Sequence, residues 1–169
     1  MTSKSSKNAS DGEKINVLFV CLGNICRSPL AEAVFNQMVE KNGLSSKFGQ
    51  IDSCGTGAYH AGDGYDDRTI AVCRQNKVPI DGVSRKVRAS DFVEFDVIFG
   101  MDANNVRNLQ QLKPKSSKAE VYLFGEFDDK KPIQDPYYGG DHGFQAAYKQ
   151  CVRYSQAFLD HLGFETSKI

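Results

Sequence analysis

The sequence predicts an α/β fold: a single domain on a four-stranded parallel sheet with helices on both faces, and a phosphate-binding loop directly after the first strand. Three observations predict it. Short, β-branched, nearly continuous apolar runs recur along the chain, as strands buried on both faces do. Segments with apolar residues at helical spacing alternate with them, which implies right-handed βαβ crossovers. The first strand is followed at once by a turn, a small anion-cradling segment and a helix start. The 169 residues suit one core, and no internal repeat marks a second unit.

The elements follow in order. The opening MTSKSSKNASDGEK is polar throughout, so residues 1–14 read as a disordered lead and not as a secretory signal. The domain is expected over residues 15–169. Ile15–Cys21, INVLFVC, is the first strand and ends at Gly23. A helix follows with Ser28 as N-cap and Pro29 at the first helical position. Ala31, Val34, Phe35 and Met38 form its apolar face, and Asn42-Gly43 closes it. Gln50–Cys54 is a short strand, and the Gly-rich stretch Gly55–Tyr65 is a loop. A helix over Asp67–Asn76 is expected to turn Ile70 and Ala71 inward. Asp96–Met101 is the third strand, Asn104–Leu112 a helix stopped by Pro114, and Glu120–Phe124 the fourth strand. After the polar stretch Gly125–Gly143, a long final helix carries Phe144, Ala147, Tyr148, Cys151, Ser155, Phe158, Leu159 and Leu162 on one face, with Gly163 at its end.

Composition excludes several classes of function. Lys plus Arg and Asp plus Glu both number 21, so the net charge is zero. No nucleic-acid partner is indicated, and an anionic ligand has to be attracted by a local site. No apolar run approaches the roughly 20 residues that cross a bilayer, so no membrane insertion is expected. The five cysteines Cys21, Cys26, Cys54, Cys73 and Cys151 are irregularly spaced and include no C-x-x-C pair, while His60, His142 and His161 are scattered. That is neither a secreted disulfide framework nor a zinc site, so the expectation is a reducing, cytoplasmic compartment with no metal and no cofactor.

The informative segment is Cys21-Leu22-Gly23-Asn24-Ile25-Cys26-Arg27-Ser28. A loop leaving a strand for a helix can aim successive backbone N–H groups at one point, and the helix start adds partial positive charge. Gly23 permits a backbone shape that a side chain hinders. Arg27, separated from Cys21 by five residues, closes the cradle with a planar fork suited to two phosphate oxygens. Such surroundings favour a thiolate, and a thiolate beneath a held phosphate is placed for in-line attack on phosphorus. Departure of an aryl oxygen then calls for a proton donor. Asp135, in Gln134-Asp-Pro-Tyr-Tyr-Gly139, is the candidate acid, held out of helical geometry by Pro136; a simple Asp-Pro turn reads equally well from local sequence. Tyr59 on one side, with Tyr137 and Tyr138 on the other, are candidate walls for a flat aromatic ring. Taken singly, each tyrosine also reads as a packing residue.

VLFVCLGNICRSPLAEAVF and the later DPYYG resemble the low-molecular-weight protein tyrosine phosphatases. So do Ile51–Thr56, Phe95–Asp102 and Gln150–Leu159, and the likeness runs from Ile15 to about Leu162, with wording closer to fungal members. The resemblance implies that Cys21 is the nucleophile, Arg27 binds phosphate, and Asp135 acts as acid and then base. It implies substrates that are phosphotyrosine proteins, with inorganic phosphate or other oxyanions as inhibitors. It assigns Asn24, Ser28 and Ser53 to a hydrogen-bond network, with Ser28 helping Cys21 leave, and Tyr59, Tyr137 and Tyr138 to the substrate slot. Cys26 stands where the family has a second cysteine that can pair reversibly with Cys21, a redox role that coexists with a packing role.

There is one departure. Many members carry a histidine behind the phosphate loop, and counting without gaps from Ser53 puts that position at Gly82. The resemblance then implies a less firmly held network, with water or Asp102 as substitutes. Three other readings share the fold. An arsenate reductase needs a shuttle pair of cysteines, and Cys54, Cys73 and Cys151 form no close pair in sequence. An arginine phosphatase has threonine where Ile25 stands. A non-catalytic phosphate-binding module would be expected to lose Cys21 or Asp135, and both are present.

Overall fold

The computed structural model describes residues 13–138 and 140–167, with the side chain of Tyr138 left out. All but the last two residues of the expected lead therefore lie outside the described residues. Strand β1 is Ile15–Cys21, β2 is Phe48–Gly55, β3 is Val97–Gly100 and β4 is Glu120–Leu123. They form one parallel sheet in the order β2-β1-β3-β4. Helices α1 (Arg27–Lys41), α2 (Asp67–Gln75) and α5 (Asp141–His161) cover one face; α3 (Asp91–Glu94) and α4 (Ala103–Leu112) cover the other. The α/β class and the four-stranded parallel sheet are as the sequence predicts.

Alternation along β1 explains its unbroken apolar run. Val17, Phe19 and Cys21 join the larger core, beneath α1 and α5, while Leu18 and Val20 join the smaller core with Phe92, Ile98 and Leu109. Both sides of the strand leave water, so neither can be polar. The larger core is a ring cluster: Phe99 meets Phe158 edge-on at 4.9 Å, and Phe19 meets Phe124 at 5.1 Å. Such pairs add about 0.5–1.5 kcal/mol each beyond the area they bury.

Several local expectations are corrected. Helix α1 starts at Arg27, with Cys26 at the cap position and no side-chain cap. Ser28 is inside the helix and not its N-cap, because its hydroxyl is drawn to Cys21 instead. On α2 the buried residues are Thr69, Val72 and Cys73; Ile70 is half-buried and Ala71 exposed. The Thr69 hydroxyl donates to the Cys26 carbonyl at 3.4 Å, so a polar contact sets the phase of this helix. Strand β2 starts at Phe48, two residues before Gln50, and β3 and β4 are shorter than expected by their ends. Helix α5 starts at Asp141, ahead of Phe144.

The chain steps from β1 outward to β2, then crosses back to β3 on the other side of β1. Connections therefore diverge at the carboxyl end of β1, the point in an open α/β sheet where ligands bind. Residues 22–26 occupy it.

Candidate active site

The loop after β1 is held from outside by its carbonyls. Those of Cys21, Leu22 and Ile25 accept from the backbone N–H groups of Thr56, Gly57 and Asp66 at 2.9–3.0 Å. The Asn24 carbonyl accepts from the Ser84 hydroxyl at 2.6 Å. In a trans peptide the N–H points opposite to the C=O, so outward carbonyls turn the following amides inward. Separately, the Asn24 N–H donates to Cys21 Sγ at 3.3 Å. The Ser28 hydroxyl lies 3.0 Å from the same sulfur.

Asn24, and not Gly23, takes the left-handed conformation, with φ 57°. A non-glycine residue there costs about 1–2 kcal/mol, and four hydrogen bonds besides the one to Cys21 hold it. Its Nδ2 donates to Ser28 Oγ at 2.8 Å and Ser53 Oγ at 3.0 Å. Its Oδ1 accepts from Arg85 N–H at 3.0 Å, and its carbonyl accepts from Ser84. At Gly23 a Cβ would stand 3.0 Å from the His60 ring, which would have to shift to admit it.

Arg27 is almost fully buried. One guanidinium nitrogen donates to Asp102 at 2.7 Å and to the Ile133 carbonyl at 2.9 Å, and the other is 3.7 Å from Asp135. Asp102 also caps α4 through Asn105 N–H at 2.8 Å. It therefore anchors the arginine and does not replace a histidine behind the loop. The segment that carries Asp135 is tied to the end of β3 by Ile133 N–H donating to the Met101 carbonyl at 2.8 Å. Asp135 itself accepts from Tyr137 N–H at 3.0 Å, and its side chain is about 38% exposed.

Cys21, Leu22, Gly23, Ile25, Cys26 and Arg27 share a cleft of about 320 Å³ with Tyr59, His60, Asp135 and Tyr137. Tyr59 and Tyr137 are both exposed at it. Arg68 donates to the Tyr137 carbonyl at 3.0 Å and lies over both the Tyr137 and Phe144 rings. The Tyr138 side chain, also expected in the slot, lies outside what is described. Burial, with Asp66 and Cys21 nearby, pushes the Cys26 thiol up to about 12, so it is protonated at neutral pH. All five cysteines are free and buried. Among the described residues, no three His, Cys, Asp or Glu side chains group as a metal site, and no helix is long and apolar enough to cross a membrane.

Several residues of this neighbourhood escape the sequence reading. His60 lines the cleft. Ser84 and Arg85 hold Asn24 from a segment some 60 positions away. Glu32 accepts from Ser53 at 2.7 Å. Only Glu32 leaves a trace in the sequence, as an acid between Ala31 and Ala33 on an apolar helix.

A cysteine and an arginine at the two ends of an amide cradle, after the first strand of a parallel sheet and facing a carboxylic acid, define a cysteine-dependent phosphatase fold and site. The sequence profile of the low molecular weight phosphotyrosine protein phosphatases matches residues 16–168, and the chain belongs to that family. It is 53% identical over 150 residues to the low molecular weight phosphotyrosine protein phosphatase of Schizosaccharomyces pombe, covering 87% of this chain and 96% of that one. The structure of a protein tyrosine phosphatase from Entamoeba histolytica superposes with a TM-score of 0.84 at 36% identity, over 89% of this chain and 97% of the other. A Drosophila arginine phosphatase superposes at 0.82 with 33% identity, over 89% and 99%.

Proposed function

We propose that this protein hydrolyses phosphotyrosine in proteins, and small aryl phosphates, through a phosphocysteine on Cys21. The observation that carries the reading is the Cys21 sulfur itself, facing the Asn24 amide at 3.3 Å and the Ser28 hydroxyl at 3.0 Å at the base of the cleft. The phosphate sits in the amide cradle, and Arg27 binds its equatorial oxygens with the N–H groups that Asp102 and Ile133 leave over. The Cys21 thiolate attacks phosphorus, the bond to the aryl oxygen breaks, and Asp135 gives that oxygen its proton. In the second half Asp135 takes a proton from water, the water oxygen attacks phosphorus, and the S–P bond breaks. Ser28 supports the departing thiolate with its hydrogen bond. Leu22, Gly23, Ile25 and Cys26 complete the loop, with Tyr59, Tyr137 and Tyr138 as the walls for the ring.

Phosphotyrosine is favoured over phosphoarginine by Ile25, an apolar side chain lining the cleft that suits an aromatic ring better than a polar guanidine. The fold alone does not separate these substrates, since the Drosophila arginine phosphatase superposes as well as the tyrosine phosphatase. Inorganic phosphate and other oxyanions compete for the same amides. The activity belongs in a reducing, cytoplasmic setting, where Cys21 and Cys26 stay thiols. Under oxidation, the Cys26 thiol traps the Cys21 sulfenic acid as a disulfide, releasing water.

The test is steady-state hydrolysis of para-nitrophenyl phosphate at mildly acidic pH, beside phosphotyrosine and phosphoarginine peptides. Cys21→Ser is expected to abolish turnover, and Asp135→Ala to lower it by about 100-fold or more. Full activity of Cys21→Ser would overturn the mechanism, and preference for phosphoarginine would overturn the substrate.

A further inference from the structure

The short segment that carries Asp135, residues 133–137, is tied down on both sides of the carboxyl. Ahead of it, Ile133 N–H donates to the Met101 carbonyl at 2.8 Å, and the Ile133 carbonyl accepts from Arg27 at 2.9 Å. Beyond it, the Tyr137 carbonyl accepts from Arg68 Nη2 at 3.0 Å. Tyr137 N–H in turn donates to Asp135 Oδ1 at 3.0 Å. The residue that holds the carboxyl is thus itself held by Arg68.

Arg68 is fixed in turn by two elements. Asp66 caps α2, and its carboxylate accepts from Arg68 N–H at 2.8 Å, Nε at 3.1 Å and Nη2 at 3.0 Å. The central guanidinium carbon lies 4.7 Å from the ring centroid of Phe144 on α5 and 5.5 Å from that of Tyr137. A planar, always charged fork can grip a carboxylate and stack on rings at the same time. The same helix start is docked on the phosphate loop. Asp66 N–H donates to the Ile25 carbonyl at 3.0 Å, and the Thr69 hydroxyl donates to that of Cys26 at 3.4 Å. Arg68 therefore joins the loop that cradles phosphate to the segment that carries the acid.

We propose that Arg68 is a positioning residue for the acid: anchored on Asp66 and Phe144, it holds Tyr137, and through Tyr137 it sets how far the Asp135 carboxyl stands from the phosphate loop. Arg68 does not line the cleft, so it acts through Asp135 and not on the phosphate. Losing its side chain weakens proton delivery to the leaving oxygen and spares the cradle. The kinetic arm of this proposal rests on the phosphatase reading, and the structural arm does not.

The experiment compares wild type, Arg68→Ala, Asp135→Ala and the double variant. It reads kcat/KM for phenyl phosphate, whose phenol has a pKa of about 10 and needs a proton to leave, and for dinitrophenyl phosphate, whose phenolate leaves unaided. Inhibition by inorganic phosphate reports on the cradle, and amide hydrogen exchange reports on residues 133–137. Arg68→Ala is expected to lose about tenfold on phenyl phosphate, the size of one hydrogen bond from a charged group, and less than about twofold on the dinitrophenyl ester. Phosphate inhibition is unchanged, and the double variant is no worse than Asp135→Ala on phenyl phosphate. Exchange speeds up in residues 133–137 and not in residues 22–27. Equal losses on the two esters, or phosphate inhibition weakened in step, would overturn the proposal, as would unchanged exchange in residues 133–137. If wild type hydrolyses neither ester, the phosphatase reading fails, and exchange alone decides whether Arg68 holds the segment.

Discussion

Glu32 is an acid among apolar neighbours on α1, and its surroundings resist its charge. Burial raises its carboxyl from 4.5 to about 7, with Asp52 adding to the effect and Ser53 and Arg85 opposing it. The folded value lies above the unfolded one, so folding takes up a proton. The stability this brings is full below about pH 4.5 and is lost as pH rises through about 7, with a ceiling of roughly 3 kcal/mol. Glu32→Gln is expected to flatten that slope, read by urea unfolding at about pH 5 and about pH 8; an unchanged slope would contradict it. At this scale the sequence was legible wherever the chemistry is contiguous. Cys21, Arg27 and Ser28 lie on one loop and its helix, and Asp135 is flagged by its proline. Ser84 and Arg85 were not legible, because nothing local in Val83–Lys86 marks them. The pairing of residues 85–87 with Gly55, at the end of β2, brings them behind Asn24. Ser28 was misread as a helix cap because its hydroxyl serves a through-space partner, Cys21, seven residues back.

The elements make a cradle because β2 ends against the phosphate loop. At Gly55, a Cβ would stand 2.6 Å from the Leu22 carbonyl oxygen and 3.1 Å from that of Gly57. Both are backbone atoms tied into the loop, so neither can swing aside. Gly55→Ala is therefore expected to destabilise by about 1–3 kcal/mol and to lower turnover with it. Gly64→Ala, where no atom lies within 4 Å and the backbone is not left-handed, serves as the neutral control. Equal melting temperatures for the two variants would refute this view of the strand end. The strands themselves were readable because burial on both faces leaves a strong apolar signal. The phase of α2 was not, since Thr69 faces inward to bond the Cys26 carbonyl while Ile70 and Ala71 turn away. A hydrophobicity pattern alone cannot report a helix oriented by a polar contact.

On the scale of the whole molecule, the sheet order places one anion cradle at the divergence beside β1, and a net charge of zero supplies no long-range steering toward it. On the proposed mechanism, attraction for a phosphate comes from the inward amides and buried Arg27, which salt screens little. The value of kcat/KM for a small aryl phosphate is expected to change by less than about threefold between low salt and about 0.2 M salt. A steep fall in a salt titration would contradict it and show that surface charges steer the substrate. Fold class was legible from the alternation of strands and helices, whereas the ring cluster of Phe19, Phe99, Phe124 and Phe158 that sets the distance between sheet and α5 emerges only in three dimensions. The account stands on a covalent phosphocysteine, and acid-quenched mass spectrometry of the wild type during turnover of a phosphotyrosine peptide tests it most directly. The account predicts phosphate on the peptide carrying Cys21 and none in Cys21→Ser. Phosphate on another residue, or steady turnover by Cys21→Ser, would contradict it.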